Sequence, residues 1–199
     1  MEPVIFQFCE NGIAYTSVNG VRGTLNFYDC KTIIEHAKNL SPGQKYMEIG
    51  SYLGCSSLLV AFFSKVTIWA HDIWVTDWSE LKGCPPPTVE DYFYKFYSAV
   101  KANNFVNRII PIRGNSLYTV GIHDDKSIHL CFIDGDHSYE GCLGDLENVF
   151  PKMHPQGTIL IHDCVPDSEP LKAVEKFTAE KGLTFTLVQG SWGMACIKL

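Results

Sequence analysis

Glu48-Ile49-Gly50-Ser51-Tyr52-Leu53-Gly54 decides how the rest of the chain is read. The apolar run Tyr46–Ile49 has the make-up of a buried strand, and Ser57–Phe63 beyond the turn has helical spacing. A strand that enters a helix through a glycine-bounded turn aims backbone N–H groups and a helix N-terminus at whatever lies in front of it. That is a cofactor-binding arrangement of open α/β sheets. A dinucleotide fingerprint needs glycine where Tyr52 and Cys55 stand here, because the backbone must come close to a pyrophosphate. The pattern therefore favours a cofactor without pyrophosphate over NAD. Glu48, at the strand end, is placed to organise the turn or to attract a cationic group.

Working outward, short apolar strands alternate with helical stretches. The strands are expected at Tyr46–Ile49, Val66–Ala70, Ile109–Arg113, Ile128–Ile133, Thr158–Ile161, Thr184–Val188 and Met194–Lys198. Helices are expected at Ser57–Phe63, Val89–Asn103, Tyr139–Phe150 and Pro170–Lys181, with stops at Gly157, after Pro151 and Pro155, and at Gly182. This rhythm predicts an α/β fold: a Rossmann-like, doubly wound, mainly parallel sheet with helices on both faces. The first 40 residues read differently. Ile13–Val18, the Asn19-Gly20 turn and Val21–Phe27 look like a hairpin, and Tyr28–Leu40 like a helix. This segment, 1–40, is expected to pack on a core domain at 41–199 as a lid, a dimer contact or an edge cover. The stretch Trp74–Pro87, rich in Trp, Pro and Asp, interrupts the alternation as a candidate substrate-recognition loop. Tyr92, Phe93 and Tyr94 either line an acceptor pocket with it or form one face of an amphipathic helix.

The bulk numbers agree with one compact domain of 199 residues, 46% hydrophobic and 13% aromatic. A net charge of −6, a pI near 5.6 and scattered Lys and Arg argue against nucleic acid as a partner. No apolar run has the roughly 18–20 residues that span a bilayer, and neither a basic leader nor a continuous apolar stretch opens the chain. A soluble, cytoplasmic protein without a membrane partner is expected. The eight cysteines include no Cys-x-x-Cys pair, and several lie in apolar runs, as expected of buried thiols in a reducing compartment.

The polar residues that carry chemistry fall at successive strand ends. Asp72 follows Gly50 by 22 positions, close to the spacing of an acid that grips ribose hydroxyls. Asn115 and Ser116 close the third strand, where short polar side chains suit an adenine edge. Ile133 runs into Asp134-Gly135-Asp136-His137, and Ile161 into His162-Asp163. If these two strands are neighbours, Asp134, His162 and Asp163 converge on an oxygen-rich site suited to Mg²⁺ or Mn²⁺ that also tolerates imidazole. A plainer reading has Asp136 or His137 capping the next helix and Asp163 orienting a loop. Cys164 has no base beside it in sequence, so a nucleophilic role is not expected.

The turn EIGSYLGCSS, the later DGDHSYEG and the GTILIHD stretch together resemble the class I methyltransferases. Within them they resemble the small family of macrocin-type sugar O-methyltransferases and cephalosporin-hydroxylase-like proteins. The resemblance runs from about Tyr46 to Leu199. It implies a seven-stranded sheet whose last strand is antiparallel, with S-adenosylmethionine over the first turn. The matching positions are Glu48, Gly50, Ser51, Tyr52, Gly54 and Ser56 for the turn, Asp72 for ribose, Asn115 and Ser116 near adenine, and Asp134 beside the cofactor. Asn115 stands where the family commonly has Asp. Asp134-x-x-His137 resembles the metal ligand and base of the metal-dependent sugar methyltransferases, and their next carboxylate pair maps onto His162-Asp163, so one carboxylate has become a histidine.

Methyl transfer to an alcohol needs the hydroxyl deprotonated, or nearly so, as it attacks. A divalent cation lowers the pKa of that hydroxyl, and a histidine accepts the proton. His137 is the candidate base, Asp134 a catalytic partner, and Asp134, His162 and Asp163 the candidate metal ligands. The expected function is an S-adenosylmethionine-dependent O-methyltransferase for a small-molecule or sugar hydroxyl, assisted by Mg²⁺ or Mn²⁺, in a chain that is a candidate homo-oligomer. The rivals are a non-catalytic cofactor-binding protein of the same fold and an NAD-dependent oxidoreductase.

Overall fold

The computed structural model describes residues 2–10, 13–74 and 92–199, with backbone alone for 9, 10, 13 and 14. The chain begins with strands β1 (Ile5–Glu10), β2 (Ile13–Val18) and β3 (Val21–Gly23), which pair antiparallel in sequence order. Asn19 and Gly20 both have positive φ (50° and 84°), the conformation of a two-residue hairpin turn. Two expectations change here. The strand expected over Val21–Phe27 ends at Gly23, and β1, which sequence reading did not find, pairs along the whole of β2.

The early stop has a local cause. Asn26 caps helix α1 (Phe27–Lys38): its Oδ1 accepts from the Tyr28 and Asp29 N–H groups, while Asp29 Oδ2 accepts from Asn26 N at 2.8 Å. This reciprocal capping box starts the helix before the strand can continue.

The core then runs β4 (Lys45–Ile49), α2 (Cys55–Phe63), β5 (Thr67–Asp72), α3 (Tyr92–Ala102), β6 (Ile109–Arg113), a single turn α4 (Ser116–Thr119), β7 (Ile128–Ile133), α5 (Tyr139–Val149), β8 (Met153–Ile161), α6 (Glu169–Lys181), β9 (Phe185–Leu187) and β10 (Ala195–Lys198). The sheet order is β6-β5-β4-β7-β8-β10-β9. The pairs β4–β5, β5–β6, β4–β7 and β7–β8 are parallel, and β10 lies antiparallel between β8 and β9. This is the doubly wound, mainly parallel sheet that the alternation predicts. β8 is longer than expected because it starts at Met153 and takes up Pro155 and Gly157 through a register shift opposite Ile128–Leu130.

Strand alternation sorts side chains into two cores. Tyr46, Ile68, Leu130, Phe132 and Leu160 pack beneath α1, α2 and α3, whereas Met47, Ile49, Cys131, Ile133, Ile159 and Ile161 pack beneath α5 and α6. The N-terminal sheet rests on α2 so closely that a Cβ on Gly23 would lie 2.6 Å from that of Cys55. The expected helix Val89–Asn103 appears as α3 from Tyr92, its first three residues lying outside the described ones. Of the Trp74–Pro87 loop only Trp74 is described, and it is buried against Phe93 and Phe96. Its place is structural, supporting the end of β5. The six cysteines with described side chains are free and buried. No helix among the described residues is long and apolar enough to cross a membrane.

Candidate active site

Because β4 is flanked by β5 and β7, the direction of winding reverses at β4, and a crevice opens at its carboxyl end. Backbone bonds lace the strand ends there. Gly50 N donates to the His71 carbonyl at 2.9 Å, Asp134 N to Ile49 at 2.8 Å and His162 N to Ile133 at 3.0 Å. Gly50 has φ +86°, and any Cβ on it would overlap the carbonyl of Asp134. Glycine is what lets the turn after β4 lie against the chain leaving β7.

The turn is held from both sides. Tyr52, itself at φ +45°, donates its N–H to Asp72 Oδ2 at 2.7 Å and accepts from Trp74 Nε1 at 2.8 Å, and Trp74 N donates to Asp72 Oδ1 at 2.6 Å. Asp72 thus clasps the turn to the end of β5, and burial raises its carboxyl pKa. Glu48 is wholly buried on the α1–α2 side, accepting from Ser57 Oγ and Tyr46 Oη at 2.7 Å each. Burial raises its pKa too, and its surroundings favour organising the turn over attracting a cation. Gly54 caps α2 in the left-handed region with no side-chain bond, so the first N–H groups of α2, at Cys55 and Ser56, have no capping side chain. Ser51 Oγ is buried without a partner among the described residues. Arg22–Leu25 of the N-terminal segment face Gly50–Leu53, Cys55, Ser56 and Asp134 across a cleft. Sequence reading allows this segment as a lid, a dimer contact or an edge cover and names none of its residues for the cofactor.

At the end of β6, Asn115 Oδ1 accepts from Leu117 N at 2.8 Å and so caps α4. Ser116 Oγ donates to Asp145 Oδ1 at 2.5 Å, and burial pushes the Asp145 carboxyl up to about 6. Both side chains that the sequence offers for adenine therefore have internal partners.

The acidic and histidine residues converge, because β7 and β8 are neighbours. Donor atoms of Asp134, His162 and Asp163 all lie within 4.8 Å of one another. Half-exposed His137 bridges the two carboxylates, with Nε2 3.4 Å from Asp134 Oδ1 and Nδ1 3.3 Å from Asp163 Oδ2. The cap of α5 is Ser138, whose Oγ accepts from Gly141 N; Asp136 accepts from Ser138 N at 2.9 Å, and His137 is left to the site. Electrostatics couples the four groups. Burial alone would raise Asp134, but His137 and His162 hold it well below the usual carboxylate range. Asp134, against burial, raises His137 above the ordinary histidine value. Burial opposes a charge on His162, yet Asp134, Asp163 and Asp29 together push it up to about 12. Cys164 is buried, and burial pushes its thiol up to about 12, leaving it without thiolate character.

Asp29 is the residue that sequence reading missed. It comes from the first turn of α1, is wholly buried, and places Oδ2 3.3 Å from His162 Nε2. The Asn26-x-x-Asp29 spacing marks a helix start, but nothing in it announces the second contact.

Comparison with known proteins bears on the family and the fold. A family model described as a methyltransferase domain matches residues 47–164. No curated protein sequence matches. Among solved structures, a Corynebacterium glutamicum protein superposes with a TM-score of 0.69 at 12% identity, over 88% of this chain and 82% of that one. The O-methyltransferase NovP gives 0.63 at 16% identity, over 88% and 81%. A Podospora anserina methyltransferase bound to S-adenosylhomocysteine gives 0.62 at 19% identity, over 85% and 76%.

Proposed function

The chain belongs to the class I S-adenosylmethionine-dependent methyltransferases, and we propose that within that family it methylates a hydroxyl of a small molecule or sugar, with a divalent cation and His137 as general base. The observation that carries the reading is His137 standing between Asp134 and Asp163 at the mouth of the crevice, within 3.4 Å of both. NovP, an O-methyltransferase of similar fold, is in keeping with it.

Bound S-adenosylmethionine supplies an electrophilic methyl group on a sulfonium. The residues around the turn suit such a ligand: the uncapped N-terminus of α2, the buried unpaired Ser51 hydroxyl and the remaining lone pairs of Asp72 all offer polar contacts. Tyr52, where a dinucleotide turn needs glycine, keeps its side chain partly exposed beside Tyr92. Asn115 and Ser116 serve the adenine side through their backbone, since their side chains already have partners.

Asp134, His162 and Asp163 would hold a divalent cation, which would supply charge that lowers the pKa of an acceptor hydroxyl. The donor set fits, combining two carboxylates with one imidazole at ligand spacing. Asp134 and Asp163 raise the proton affinity of the His137 ring, the direction that suits a group taking a proton from a hydroxyl. The acceptor enters over His137, the exposed member of the cluster.

Calorimetric titration with S-adenosylmethionine, followed by detection of S-adenosylhomocysteine release across a panel of sugar and phenolic alcohols, tests the reading. Transfer to an alcohol that EDTA abolishes is expected. Absence of S-adenosylmethionine binding at millimolar concentration rejects the cofactor assignment, and EDTA-insensitive transfer rejects the metal.

A further inference from the structure

Resting on the metal reading above, we infer that Asp29 positions His162 as a metal ligand and that this pair makes the site select a transition-series cation such as Mn²⁺ or Co²⁺ over Mg²⁺. His162 is buried at the end of β8, and its Nε2 makes no well-formed hydrogen bond among the described residues. Nδ1 lies 3.5 Å from both Asp134 Oδ1 and Asp163 Oδ1, a separation too long for a hydrogen bond and natural for three ligands around one ion. Nε2 lies 3.3 Å from Asp29 Oδ2, out of line for a full hydrogen bond but within ion-pair reach.

A ligating imidazole typically donates its other N–H to a carboxylate, which sets the tautomer, orients the ring and raises its basicity. Asp29 is built for that place. Its other contacts, from Asn26 N at 2.8 Å and Trp192 N at 3.2 Å, anchor the carboxylate in position, one on α1 and one on the loop before β10. The N-terminal segment thereby reaches the metal site through one buried carboxylate. An imidazole in place of a third carboxylate lowers the negative charge of the donor set and suits Mn²⁺ or Co²⁺ better than Mg²⁺, which favours oxygen and keeps its waters.

The test is calorimetric titration of the full chain with MnCl₂, CoCl₂ and MgCl₂, without cofactor or acceptor, together with the visible spectrum of the Co²⁺ form. Wild type is expected to bind Mn²⁺ and Co²⁺ at least tenfold more tightly than Mg²⁺. Asp29→Asn is expected to weaken Mn²⁺ and Co²⁺ by roughly 10–100-fold and to shift the Co²⁺ bands. Asn26→Ala breaks the same helix cap while leaving Asp29 facing His162, so it should lower thermal stability and leave the cation preference intact. Wild type binding none of the three ions overturns the metal reading and this inference with it. If wild type binds, His162→Ala does not, and Asp29→Asn matches wild type in affinity, preference and spectrum, the inference alone is overturned.

Discussion

Gly50 and Asp134 touch backbone to backbone: the glycine at φ +86° lies where any side chain would overlap the Asp134 carbonyl. The turn after β4 and the first residue of the Asp134–His137 cluster are thus one packed unit, although 84 residues separate them in sequence. Gly50→Ala should destabilise the protein by about 1–3 kcal/mol or more, because it combines overpacking with an unfavourable backbone conformation. It should also weaken S-adenosylmethionine binding. Urea denaturation and calorimetry read the two effects, and an unchanged unfolding midpoint would refute the contact.

Asp72 accepts from two backbone N–H groups that shape the turn. Asp72→Ala leaves those donors without their partner and should cost about 1.5–3 kcal/mol of stability, with at least a tenfold loss of S-adenosylmethionine affinity. Asp72→Asn, which keeps one acceptor oxygen, should fall between. Equal affinity in all three proteins would remove Asp72 from the cofactor site.

Among the described residues, half-exposed His137 makes its ion-pair contacts with the two carboxylates alone, so its removal should spare the fold. His137→Ala should reduce kcat by roughly 10²–10⁴ while S-adenosylmethionine affinity stays within a fewfold of wild type. A rate within threefold of wild type would assign the base role elsewhere.

His71 gives a pH prediction independent of the active site. Its ring is buried, with Nε2 2.9 Å from His123 Nε2 and Nδ1 2.9 Å from Thr119 Oγ1. Burial first, and His123 second, lower its pKa from 6.5 to about 3. Below pH 6.5 the unfolded chain binds a proton that the folded chain refuses, so stability falls as pH drops from 6.5 toward 3. The slope approaches about 1.4 kcal/mol per pH unit. His71→Gln keeps a neutral hydrogen-bonding side chain and should flatten this part of the profile relative to wild type. Parallel profiles from urea midpoints would show that His71 titrates normally.

Much of this molecule is legible along the chain because it is set by near neighbours. Apolar runs bounded by glycine and polar residues mark β4 to β8, the glycine turn announces a ligand-facing helix start, and Asp134, His137, His162 and Asp163 each follow a strand end where ligands bind in such sheets. Local rules also set two features that the apolar pattern hides: the Asn26 capping box ends the hairpin at Gly23, and the Asn115 cap occupies its side chain. The remainder depends on contacts between distant segments. Only the placement of β7 between β4 and β8 sets Asp134 against Gly50 and opposite His162. Only the face on which β4 lies turns Glu48 inward to Ser57 and Tyr46. Only the docking of α1 brings Asp29 to His162. Spacing along a strand or helix fixes which way a side chain leaves the backbone, but what it meets there is decided by packing.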